Sequence, residues 1–147
     1  KNWDLHKLGV DLREQFGPHY WGIRVAGRMS NDNNVGRRYV VDGLRTIGDL
    51  EVLQNSHDLF KFFLVGVTAD LDIRWQRCKA NQRGRPDDVA DYDDFVRRCE
   101  RDESSNSGGL QSAELFKRRE YTIENNNSIS DLRKDVLKLY ETLKVNL

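Results

Sequence analysis

Asp42 and Arg45 are the residues of this 147-residue chain whose types and spacing best suit chemistry. In Arg38-Tyr-Val-Val-Asp-Gly-Leu-Arg-Thr46 an apolar run ends abruptly in Asp-Gly, and an arginine follows three residues after the carboxylate. A buried parallel strand delivers side chains to its carboxyl end in this way, and ligands of open α/β sheets collect along that edge. A carboxylate there can serve a metal-bound phosphate, and a guanidinium can hold a second phosphate through charge-assisted hydrogen bonds. The same residues also suit a tight βα turn that needs Gly43 for its backbone alone.

Elements on both sides must position such a pair. Leu5, Leu8, Leu12 and Phe16 recur at helical spacing and stop at Gly17-Pro18, which predicts an opening amphipathic helix. A second helix carries Trp21, Val25 and Met29 inward, and a polar loop at 30–34 leads to a strand at 39–41. Thr46 and Asp49 resemble a capping box for a helix with Ile47, Leu50 and Leu53 as its inner stripe. Residues 60–67 are nearly continuous apolar sequence, as a strand covered on both faces requires. A helix through Trp75 and Cys78 follows the turn at 68–70, and Arg83-Gly-Arg-Pro86 breaks it. The acidic run of Asp87, Asp88, Asp91, Asp93 and Asp94 opens another helix, containing Phe95, Val96 and Cys99. Those carboxylates could bind a divalent cation, although a helix start favours negative charge in any case. Ser104-Ser-Asn-Ser-Gly-Gly109 reads as a linker or lid tip. A short strand at 121–123 ends in Asn125-Asn-Asn127, and Ser128 with Asp131 caps a closing helix faced by Ile129, Leu132, Val136, Leu139, Tyr140 and Leu143. Strands alternating with helices predict an α/β fold with a parallel, doubly wound sheet, for which three strands are few.

Composition narrows the functional classes. The length is that of one domain. With 24 basic and 24 acidic residues, the chain does not suit a dedicated partner of duplex nucleic acid. No apolar run is long enough to span a bilayer and no signal pattern opens the chain, so a soluble, cytoplasmic protein without a membrane partner is expected. Cys78 and Cys99 lack Cys-x-x-Cys spacing, and His6, His19 and His57 are scattered, which predicts free thiols rather than a zinc site. Trp3, Trp21 and Trp75 sit at helical apolar positions and are expected in the core.

The order of these segments resembles the P-loop nucleoside monophosphate kinases, most closely the adenylate-kinase-like and deoxynucleotide-kinase-like group. Val40-Val-Asp-Gly-Leu-Arg-Thr46 looks like that group's Asp-Gly-(apolar)-Arg strand end. Phe63-Leu-Val-Gly-Val-Thr-Ala69 with Asp72, Arg74 and Arg77 looks like its next strand and the start of its lid. Gly109-Leu-Gln-Ser112 through Tyr121-Thr-Ile-Glu-Asn125 and the following helix start resemble its last strand and helix, and Leu8-Gly-Val-Asp-Leu-Arg-Glu14 resembles the helix before the Asp-Gly strand. One departure is large: no Gly-x-x-x-x-Gly-Lys-Ser/Thr loop occurs. In Gly17-Pro-His-Tyr-Trp-Gly-Ile-Arg24, bulky residues stand where backbone amides would approach phosphate, and Ile23 stands where lysine is needed. In that family the phosphate loop follows a central strand that would lie between the 39–41 and 62–67 strands. A chain beginning at Lys1 is therefore expected to be the carboxyl-terminal part of a longer protein.

The resemblance implies a three-layer P-loop kinase-like parallel sheet, incomplete because its first strand and phosphate loop are outside this chain. Residues 1–147 would form a partial domain with a lid-like segment at about 74–109. It implies ATP and Mg2+ as cofactors and a nucleotide as substrate, with the rest of a longer chain or a partner subunit completing the site. By the same resemblance Asp42 orients the metal shell and Arg45 holds the acceptor phosphate. Lid arginines among Arg74, Arg77, Arg83 and Arg85 close over the donor phosphates, and Arg13 and Arg24 add contacts to the acceptor. Arg74 and Arg77 also suit a solvated helix face pairing with Asp70 or Asp72, and surface ion pairs account for Arg13 and Arg24 nearly as well. The implied activity is transfer of the ATP γ-phosphate to a nucleoside or deoxynucleoside monophosphate. The alternative is a non-catalytic nucleotide-sensing or assembly domain attached to an effector such as a nucleotide deaminase, and a third reading is phosphorylation of a coenzyme precursor.

Overall fold

The computed structural model describes residues 5–31, 37–56, 58–81, 88, 91–103 and 111–145, with residues 5, 6 and 101–103 described in their backbone alone. Arg83, Arg85, Trp3, His57, Asp87 and the 104–109 linker lie outside the described residues. In chain order the elements are α1 (Leu5–Phe16), α2 (Tyr20–Asn31), α3 (Ile47–Asn55), β1 (Val65–Thr68), α4 (Leu71–Ala80), α5 (Tyr92–Glu103), α6 (Ser112–Lys117), β2 (Tyr121–Glu124) and α7 (Ile129–Val145). They divide into two units. The described residues of Lys1–Phe62 and Asp102–Lys117 make the first, and those of Phe63–Arg101 and Arg118–Leu147 make the second.

The first unit is helical. Its core is Leu50 and Leu53 of α3, fully enclosed, with Ala26 of α2 and Leu115 of α6 also buried. The helices α2 and α3 meet closely because Gly22 has no side chain: a Cβ there would lie 2.8 Å from the Asp49 carbonyl oxygen. Trp21, Val25 and Met29 are half-buried on α2, in keeping with the expected inward stripe. On α1 the stripe is covered only in part, since Leu12 is half-buried while Leu8 and Phe16 are exposed. The Phe16 ring instead stacks on Tyr20 at 5.1 Å. As the spacing predicts, Thr46 caps α3, its hydroxyl accepting the Asp49 N–H at 3.2 Å.

The second unit is built on a two-stranded parallel sheet, with Val65 opposite Tyr121 and Thr68 opposite Glu124. Ile123 is its buried strand residue, and α7 packs against β2. Helices α4 and α5 are joined by an aromatic cluster in which Trp75 meets Tyr92 at 5.7 Å and Phe95 at 5.5 Å.

The fold is thus mixed α/β with a small parallel sheet, and two of the expected strands differ from their sequence reading. Residues 39–41 form no strand. They run as irregular chain, with Val40 97% exposed. Strand preference in Tyr-Val-Val is a preference for packing on neighbouring strands, and among the described residues no ladder reaches this segment. The apolar run at 60–67 becomes regular only from Val65, where β2 begins to pair with it. Helix α6 was not expected, because its six residues are too few to show a period.

Candidate functional site

The segment at 42–45 belongs to the first unit and runs as irregular chain up to α3. Gly43 has φ +82°, a conformation that a side chain would oppose. The side chains of Asp42 and Arg45 on either side are exposed, and among the described residues neither makes a hydrogen bond or ion pair. The main chain between them and α3 is tightly fixed. The Gln111 N–H donates to the Arg45 carbonyl at 2.8 Å, and the Ile47 N–H donates to the Gln111 side-chain oxygen at 2.8 Å. Among the described residues, then, two side chains of opposite charge can receive a charged ligand without first breaking protein contacts, and the main chain is anchored at Arg45.

Behind this turn lies a buried carboxylate that the sequence reading assigned to capping alone. Asp49 is 3% exposed and accepts from the Gly22 N–H at 2.8 Å and from the Thr46 hydroxyl at 2.8 Å. Arg13, expected at the acceptor pocket, instead extends an Nη2 to within 3.3 Å of Asp49 Oδ2. Its Nη1 donates to the Gly9 carbonyl at 3.4 Å, so the Arg13 side chain is engaged within the protein. Arg24 is exposed on α2.

A second polar constellation lies at the carboxyl ends of β1 and β2, in the second unit. The Asn125 N–H donates to the Thr68 carbonyl at 2.7 Å, and the Asp70 N–H donates to Asn126 Oδ1 at 2.8 Å. Arg77, expected over donor phosphates, donates to the Asn125 carbonyl at 2.6 Å and to the Asn127 carbonyl at 3.0 Å. Its guanidinium therefore ties α4 to the loop leaving β2. No pairing of Arg77 with Asp70 or Asp72 is needed to place it. Sequence reading missed this loop's role because the triple asparagine signals a turn equally well without such contacts.

Asp91 and Asp94 of the acidic run serve the start of α5. Asp91 Oδ1 accepts the Asp94 N–H at 2.8 Å, and Asp94 pairs with Arg98 at 2.8 Å. Nearby, the Tyr92 hydroxyl donates to Asp72 at 3.4 Å. Desolvation, followed by the Asp72 carboxylate, raises the Tyr92 phenol above its ordinary value. Among the described residues no three His, Cys, Asp or Glu side chains are grouped to hold a metal ion. Cys78 and Cys99 are not joined in disulfides, and both are half-buried. An open groove lined by His19, Ile23, Glu51, Val52, Asn55 and Ser56 lies on α2 and α3 and includes none of the expected site residues. Among the described residues no helix is long and apolar enough to cross a membrane.

No family model matches this chain, and no solved structure matches it. It is similar to several archaeal proteins named UPF0200 proteins. One from Pyrobaculum aerophilum is 34% identical over 110 residues, covering 74% of this chain and 58% of that protein. Another, from Methanosarcina acetivorans, is 33% identical over 129 residues, covering 88% of this chain and 64% of the relative. A third, from Pyrococcus abyssi, is 23% identical over 132 residues, covering 90% and 67% respectively. The chain thus spans 58% to 67% of the length of these curated relatives, whose names state no reaction, substrate or partner.

Proposed function

We propose that this chain is the acceptor-binding part of a P-loop kinase-like phosphotransferase acting on a nucleoside or deoxynucleoside monophosphate. The observation that carries the reading is the segment at 42–45, where the Asp42 and Arg45 side chains are exposed and, among the described residues, without partners, while the main chain at Arg45 is held to Gln111 just before α3. Phosphoryl transfer asks a protein chiefly for charge neutralisation and in-line positioning. Arg45 would hold the acceptor phosphate, and Asp42 would orient a metal's water shell, since Mg2+ commonly takes one or two carboxylates together with substrate phosphates. The parallel pairing of β1 with β2, and the polar loop at their carboxyl ends, agree with an α/β nucleotide fold in which ligands gather along that edge.

The residues present fit one side of such a site. An ATP donor would need a phosphate loop, and no Gly-x-x-x-x-Gly-Lys-Ser/Thr sequence occurs in these 147 residues. The chain's own part is to bind and orient the acceptor. In the same proposal a further strand, contributed by more of the protein or by a partner, lies beside β1. Arg74, Arg83 and Arg85 would belong to the lid, whereas Arg77 holds the lid's first helix to the sheet.

The test is calorimetry of nucleoside monophosphates with the full-length protein. Arg45→Ala is expected to weaken binding by about 1.5–3 kcal/mol, as for loss of a charge-assisted contact, with little change in folding. Unchanged affinity would remove the reading. Binding without ATP-dependent phosphorylation of the acceptor would favour the nucleotide-sensing alternative over a kinase.

A further inference from the structure

Gln111 makes contacts that the proposed chemistry does not yet use. It stands immediately before α6, its carbonyl accepting the Leu115 N–H at 2.9 Å. Leu115 is buried and α6 packs on α3, so the backbone of Gln111 is anchored to the helical core. From there Gln111 reaches the turn twice. Its N–H donates to the Arg45 carbonyl at 2.8 Å and its side-chain oxygen accepts the Ile47 N–H at 2.8 Å. These two bonds bracket Thr46, whose hydroxyl and carbonyl accept the Asp49 and Leu50 N–H groups of the first helical turn. The main chain after Arg45 is therefore fixed on both sides, while the Arg45 side chain stays exposed and, among the described residues, unpaired.

We infer that Gln111 is a positioning residue for anion binding, holding the main chain at Arg45 so that its guanidinium is presented to a phosphate group in one orientation. This rests on the reading of Arg45 as a phosphate ligand. A long side chain carries substantial rotamer entropy, and fixing its root lowers what binding must order. Gln111 touches no ligand in this scheme, so its effect must pass through Arg45. Removing the acceptor also leaves the Ile47 N–H without its partner, which loosens the first turn of α3 next to the site.

A double-mutant cycle on the full-length protein tests this, with inorganic phosphate as probe and the Arg45 Nε–H resonance as readout. Arg45→Ala, followed through the Ile47 amide resonance, should weaken phosphate binding about tenfold or more. Gln111→Met keeps the length and removes the acceptor, and should weaken it roughly fivefold. Combined with Arg45→Ala it should add nothing. Gln111→Glu restores an acceptor for the Ile47 N–H and should return slow exchange of that amide, while its added negative charge keeps phosphate affinity below that of the parent. If Gln111→Met does not fold, Gln111→Asn, one methylene shorter, takes its place in the cycle. Wild-type affinity in the Gln111 variant, or a loss that adds in full to that of Arg45→Ala, overturns the inference and leaves the phosphate site standing. No loss in Arg45→Ala alone overturns the site and the inference together.

Discussion

At Asp49 one carboxylate joins three helices. It is 3% exposed, and its oxygens take the Gly22 N–H from α2, the Thr46 hydroxyl at the start of α3, and the Arg13 guanidinium from α1. A buried ion pair of this kind adds little beyond what well-packed apolar groups would give, but breaking one partner is costly because the other keeps its desolvation penalty. Asp49→Ala should therefore destabilise the first unit by about 3 kcal/mol, since it leaves the Gly22 N–H and a largely buried Arg13 uncompensated. Urea unfolding gives the test: a lowered midpoint at constant slope is expected, and a shift worth less than about 1 kcal/mol would show that the node is replaceable. This residue also marks the limit of what was legible at the residue scale. Asp42, Gly43 and Arg45 stand out because their chemistry is local, three types in one short string. Two of the three partners of Asp49 lie 27 and 36 residues away, and the bond from Ile47 to Gln111 spans 64 residues, distances over which spacing carries no signal. Arg77 shows the same limit in reverse, because a guanidinium suits backbone carbonyls as well as phosphates and only the fold decides which it meets.

Helices were legible where a period and a cap coincide. The end of α1 at Gly17, the start of α3 at Thr46 and the start of α7 at Ser128 all follow from residue types within four positions of one another. At α7 the capping box is complete: the Ser128 hydroxyl donates to Asp131 Oδ2 at 2.6 Å and accepts the Asp131 N–H at 3.2 Å. The bond from Ser128, then that from Lys134, lowers the Asp131 carboxyl below its ordinary value. A carboxylate with a depressed folded-state value contributes stability that is present above the unfolded value, about 3.9, and is lost as pH falls through the folded one. Below about pH 4 the first turn of α7 should thus begin to fray while the remaining helices hold. Circular dichroism of Asp131→Asn against the parent is the check: the variant should lack this acid-dependent component, and identical acid profiles would remove the cap's part in it. Strands were less legible, since ladder partners are non-local. The 121–123 expectation agrees with β2 because β1 is there to pair with it, whereas the equally suitable 39–41 segment has no such neighbour among the described residues.

On the scale of the whole molecule, several apolar surfaces are uncovered in a way that a parallel sheet does not usually tolerate. Parallel strands are normally flanked by others and covered on both faces, and a two-stranded pair leaves an edge of N–H and C=O groups open on each strand. Here Val67 of β1 is 59% exposed, Val40 is 97% exposed, and α7 carries no buried residue along its 17 positions, with Ile129 80% and Leu137 57% exposed. The curated relatives are longer than this chain, which spans 58% to 67% of them. These observations support the proposal that a strand from more of the protein, or from a partner, pairs with the open edge of β1. Hydrogen exchange distinguishes this from a chain whose sheet is only two strands wide. In a full-length protein, the peptide covering 65–68 should exchange far more slowly than in the 147-residue chain, because it would gain ladder bonds that open only on partial unfolding. Equal exchange of this peptide in the two proteins would rule out the additional strand, and with it the P-loop kinase-like arrangement.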